Sequence, residues 1–100
     1  MHLVHARLLA PVGRVVPPAL ADAVRARALP ADAVEHVSVH PQSAGEVTVG
    51  VFSLAPGLAE AERRAAALLR RTVAREPALA GFTVLSVEVV LVPGPWWDAR

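Results

Sequence analysis

Four stretches of this chain change polarity at every second residue, two others repeat apolar residues every three or four, and their order leaves few folds open. "HLVHARLLA" (2–10) sets Val4, Ala6 and Leu8 against Leu3, His5, Arg7 and Leu9. "VEHVSVH" (34–40) sets Val37 and Val39 against His36, Ser38 and His40. "EVTVGVF" (46–52) sets Val47, Val49 and Val51 against Glu46, Thr48, Gly50 and Phe52. "FTVLSVEVVLV" (82–92) is rich in β-branched residues. A period of two is the mark of a strand with two different faces. "PQSAG" (41–45) is turn material and joins the second and third stretches into a hairpin.

The remaining two segments have helical spacing. "ALADAVRARAL" (19–29) follows Pro17 and Pro18, which suit a first helical turn, and stops at Pro30. It carries Leu20, Val24 and Ala28 on one stripe. "LAEAERRAAALLRRTVARE" (58–76) is the clearest helix, with Leu58, Ala61, Ala65, Leu68 and Thr72 in line and Leu69 and Val73 beside them. Glu60 precedes Arg64 by four residues, a favourable pair on an exposed face.

Strand, helix, strand, strand, helix, strand resembles the ferredoxin-like (split βαβ) fold, and the resemblance covers residues 2–92. It rests on element order and identifies a fold class, α+β with βαββαβ order, without a specific family. The resemblance implies a four-stranded antiparallel sheet in spatial order 4-1-3-2, with both helices on one face. Residues 1–92 then form one domain, and 93–100 a C-terminal tail carrying Trp96 and Trp97. Val4/Ala6/Leu8, Val37/Val39, Val47/Val49/Val51 and Leu85/Val87/Val89/Leu91 are expected under the helices. The open face is expected to hold Leu3, His5, Arg7 and Leu9, then His36, Ser38 and His40. Glu46, Thr48, Gly50 and Phe52 join them from the third strand, and Val84, Ser86, Glu88, Val90 and Val92 from the fourth.

Composition bounds the rest. With 100 residues, 54% of them hydrophobic, the chain has material for one core of small aliphatic side chains and is too apolar for disorder. All ten basic residues are arginine, and the profile fits translation of a GC-rich bacterial genome. Net charge is +1, and Arg63, Arg64, Arg70, Arg71 and Arg75 alternate with Glu60, Glu62 and Glu76. A nucleic-acid binder concentrates basic charge on one face, so this helix face is expected to be solvated, and no nucleic-acid partner is expected. The absence of cysteine excludes disulfides, thiolate metal sites and cysteine nucleophiles. No apolar run approaches the ~20 residues of a membrane span, and the first residues do not form a signal peptide, so a cytoplasmic location is expected.

The histidines are the chemistry to weigh. His36 and His40 share a face but lie four residues apart on a strand, about 13 Å, too far to grip one ion. His2 and His5 fall on opposite faces. His5 and His36 are expected to approach across the third strand over Gly50, supplying two ligands where zinc takes four, or three plus water. No metal and no cofactor are expected. The fold commonly builds dimeric α+β barrels, some of which are cofactor-independent monooxygenases, cyclases or isomerases. That resemblance offers one alternative, an enzyme for an apolar metabolite with His5 or His36 as acid/base, Arg7 as anion stabiliser and Glu88 as its partner. The plainer expectation for Arg7 and Glu88 is a cross-strand salt bridge that fixes register. Serines without a nucleophile elbow, isolated glycines and a single strand aromatic, Phe52, argue against hydrolase, phosphate-loop and RNA-binding chemistry.

An open face that interleaves Leu3, Leu9, Phe52, Val84, Val90 and Val92 with charged groups is expected to be covered, either by the sheet of a second subunit or by the chain's own tail with Trp96 and Trp97. The leading expectation is a small non-catalytic accessory or regulatory binding domain that associates through this face, with itself as a homodimer or with a larger protein. The contact residues are then Leu3, His5, Arg7, His36, His40, Phe52 and Glu88, with Trp96 and Trp97 from the tail.

Overall fold

Each alternating stretch forms a strand and each helical stretch a helix. The computed structural model describes residues 1–43 and 45–91; Val92, the tail 93–100 and both tryptophans lie outside the described residues. The order is β1 (His2–Leu9), α1 (Leu20–Arg27), β2 (Val34–Pro41), β3 (Glu46–Ser53), α2 (Leu58–Arg75) and β4 (Thr83–Val89). Short 3-10 turns at Pro30–Asp32 and Pro77–Leu79 follow the two helices. The sheet runs β2-β3-β1-β4 with every neighbouring pair antiparallel, the ferredoxin-like arrangement.

The core lies between the helices and one sheet face. Val4, Ala6 and Leu8 of β1 pair with Val51, Val49 and Val47 of β3, and all six are almost wholly buried. Leu20 and Val24 of α1 and Ala61, Ala65, Leu68 and Leu69 of α2 close over them. Burial of each Leu or Val contributes roughly 1.5–3 kcal/mol, so these side chains supply most of the drive to fold. Thr72 joins the same stripe because its hydroxyl donates to the Leu68 carbonyl at 2.8 Å, one turn back. Leu58, expected in the stripe, is instead half exposed at the helix start.

The parity of β4 differs from the expectation. The β1–β4 register shifts between Arg7 and Leu8, so Ala6 faces Val87 but Leu8 faces Val84. Leu85 is the extra residue of this bulge. Val84 therefore packs against the core, while Leu85 is 42% exposed. Leu91, past the end of the strand, is also exposed.

The arginines of α2 were expected to be solvated, yet two are anchored. Arg71 donates to the Asp32 carboxylate at 2.6 Å and to the Arg27 carbonyl at 2.9 Å, and Arg64 donates to the Ala31 carbonyl. Asp32 is buried and also accepts from the Leu29 amide at 2.7 Å. Ala33 then takes a left-handed φ of +55° that turns the chain into β2. Arg64 meanwhile keeps its i,i+4 contact with Glu60, as the spacing indicates. Asp32→Ala strips the partly buried Arg71 of its carboxylate and the Leu29 amide of its acceptor. The variant is expected to lose about 2 kcal/mol of unfolding free energy, read from urea denaturation.

Candidate interaction face

Because the even positions of β1 enter the core, the odd ones must emerge on the opposite face. The registers assemble three rows across the sheet in the order β2, β3, β1, β4. The middle row is Ser38, Gly50, His5 and Glu88. On one side lies the row His40, Thr48, Arg7 and Ser86. On the other, His36, Phe52 and Leu3 continue to Val90, whose amide donates to the Leu3 carbonyl at 2.8 Å. All seven strand positions expected at the contact are thus on this one face. Among the described residues, no helix lies over it.

Gly50, buried and without a side chain, lets its neighbours close over the centre of the face. A Cβ built there would come within 2.4 Å of the Ser38 hydroxyl and 3.3 Å of Leu3 Cδ1, so neighbouring side chains already lean over the glycine. The Ser38 hydroxyl also lies 3.0 Å from His40 Nε2, which turns the His40 ring inward. As a result His40, not His36, meets His5, with ring centroids 6.4 Å apart. His36 instead stands against Phe52 at 5.5 Å. Arg7 binds Glu46, through Nε at 3.0 Å and Nη2 at 2.9 Å, in place of the expected bridge to Glu88. Glu88 is exposed on the outer strand β4, directly across from His5.

These groups border an open groove of about 630 Å³, lined by Leu3, His5, Arg7, His40, Gln42, Glu46, Thr48 and Phe52. Gln42 and Glu46 are not among the contact residues that the sequence indicates. Glu46 shares the face of Arg7 and sits one diagonal step away, since Arg7 faces Thr48 and Leu9 faces Glu46. Gln42 follows the end of β2, where strand parity gives no guidance, and its side-chain amide donates to the His40 carbonyl at 3.3 Å.

The chemistry available here is modest. Partial burial, reinforced by the neighbouring His40, holds the His5 imidazole below its ordinary pKa, so His5 is a neutral hydrogen-bonding group at neutral pH. Arg7 already carries a counter-charge, which leaves it less able to stabilise a bound anion. Among the described residues, no three His, Asp or Glu side chains come together as a metal site. No helix among them is long and apolar enough to cross a membrane.

Fold and face together define a ferredoxin-like α+β domain with one sheet surface left uncovered by the helices among the described residues. Comparison with family models, with curated proteins and with solved structures gives no match.

The lowered pKa of His5 makes stability depend on pH in a determinate direction. The unfolded chain takes up a proton on this residue near pH 6.5, while the folded chain resists until lower pH. Between those values the unfolded state binds more protons, so stability falls as pH drops below about 6.5. His5→Asn is expected to reduce the drop in urea midpoint between pH 7.5 and pH 5. An undiminished drop in the variant would assign the dependence to other groups.

Proposed function

We propose that this chain is a small accessory or regulatory binding domain, with no catalysis of its own, that associates with a second copy of itself through the open sheet face. The observation that carries this is the composition of the face. Leu3 and Phe52 are only half-buried and Leu9 is 42% exposed, and they lie among histidines, Arg7 and Glu88 with no described element above them. A sheet face meant for water is largely polar, whereas this one mixes apolar and polar groups as protein contacts do. Association by the edge of β4 is less favoured. Its outward Val89 amide donates to the Glu62 carboxylate at 3.1 Å, which places a charge where an added strand would pair.

Sedimentation equilibrium of the full chain at tens of micromolar is expected to give a dimer. Leu3→Ser with Phe52→Ser is expected to shift it to monomer while circular dichroism stays unchanged. A parent chain that sediments as a monomer throughout would sink the proposal.

One observation favours a second function, that of a small dimeric α+β barrel enzyme acting on an apolar metabolite. The 630 Å³ groove is within the size range of small-molecule sites, and His5 and His40 converge on it. Such an enzyme purified from its source would carry a reproducible added mass in native mass spectrometry. His5→Ala would then abolish turnover without loss of fold.

A further inference from the structure

We infer that the two copies stack with their two-fold axis parallel to the strands, so that Glu88 of each copy seats against His36, Ser38 and His40 of the other. This rests on the face-to-face association proposed above and adds the orientation and the residues that select it.

Two sheets stacked face to face as equivalent copies must share a two-fold axis in the plane between them. For sheets packed with their strands aligned, the axis runs either along the strands or across them. An axis along the strands, midway between β1 and β3, lays β1 over the second copy's β3 and β4 over its β2. The middle row then meets itself reversed. His5 comes over the second copy's Gly50, which has no side chain of its own to oppose it, and Glu88 comes over Ser38 with His36 and His40 diagonally beside it. In the adjoining rows Leu3 falls on Phe52 and Arg7 on Thr48. Apolar groups meet apolar groups, a carboxylate meets hydrogen-bond donors, and Arg7 keeps its own Glu46, so no charge is buried without a partner.

An axis across the strands lays every strand on its own copy. The β2 histidines then face histidines and Glu88 faces the strand that carries it, with the two carboxylates opposed when the axis passes through the middle row. Like charges set against each other in a closing interface cost binding energy and select against that arrangement. A tilt of about 30° between packed sheets displaces the edge strands by about one residue, which still leaves Glu88 within the span from His36 to His40.

The test is a mixing experiment between charge variants. His36, His40 and Glu88 are all exposed, so the substitutions leave the core intact. Glu88→Arg and the double variant His36→Glu/His40→Glu are each expected to dimerise more weakly than the parent. Mixed, they are expected to give a heterodimer well above the half that random pairing yields, read by native mass spectrometry at neutral pH, while Glu88→Arg mixed with the parent chain, the mixture that a crossed axis would favour, is expected to pair at random. Random mixing of two dimeric variants would overturn the orientation while leaving association intact. Preferential pairing of Glu88→Arg with the parent chain would overturn it in favour of the crossed axis. A parent chain that is monomeric under the same conditions would sink the association itself, and the orientation with it.

The absence of native cysteine allows a second readout that does not depend on charge. Chains carrying Ser38→Cys and chains carrying Glu88→Cys are expected to be joined to each other by a short bis-maleimide, and far less to themselves. Self-joining of Glu88→Cys chains would instead place β4 on β4.

Discussion

The pairing of β1 with β3 is the constraint on which everything else depends. It sets Val4 against Val51, Ala6 against Val49 and Leu8 against Val47, six buried residues in one continuous patch. A slip of one residue would put His5, Arg7, Thr48 and Phe52 under the helices and the valines in water. Because the six core residues are small, the helices must come close to the sheet. That explains why α2 presents alanines at 61 and 65 where it packs, and leucines at 68 and 69 farther along. The same parity delivers the histidines to the opposite face without any requirement that they be there for chemistry.

The connection between α1 and β2 depends on α2 in turn. Its backbone turns through a left-handed alanine and leaves carbonyls that no strand or helix satisfies locally. Arg64 and Arg71 reach across from α2 to occupy those of Ala31 and Arg27, and Arg71 also holds the buried Asp32 carboxylate. Arginine suits this task because its planar fork serves two acceptors at once, as Arg71 does here. The long helix thus anchors the edge on which β2 begins, and it is β2 that carries His36, Ser38 and His40.

Much of this was legible in the sequence, and the parts that were not share one cause. Strict alternation in β1, in β3 and in β2 from His36 to His40 correctly sorts core from open face, since the β1–β3 register is uninterrupted and β2–β3 shifts only between Val34 and His36. It fails in β4, where "TVLSVEV" contains enough apolar residues to satisfy either parity and the bulge at Leu85 decides between them. The side-chain partners fail for a related reason. Parity places Arg7 on the same face as Glu46 and Glu88, both diagonal neighbours, and cannot say toward which the guanidinium turns. Likewise it cannot foresee that the Ser38 hydroxyl turns the His40 ring inward and leaves His36 to Phe52.

The geometry of the open face bears on the proposal that it serves recognition. A catalytic base needs a fixed partner that tunes it and a wall that keeps water away. His5 has partial burial and a second histidine nearby, while its cross-strand carboxylate, Glu88, remains exposed at the sheet margin. The groove has a floor of strand residues and no roof among the described residues. Strands of seven or eight residues, four abreast, give a face of about 26 by 19 Å, or about 500 Å² in projection before side-chain relief is counted. That approaches the roughly 800 Å² per partner of a standard protein contact once relief is added. A second sheet would at once roof the groove, bury Leu3 and Phe52, and set hydrogen-bond donors against the exposed Glu88. On the proposed association, the same contact would supply the enclosure that chemistry at His5 needs.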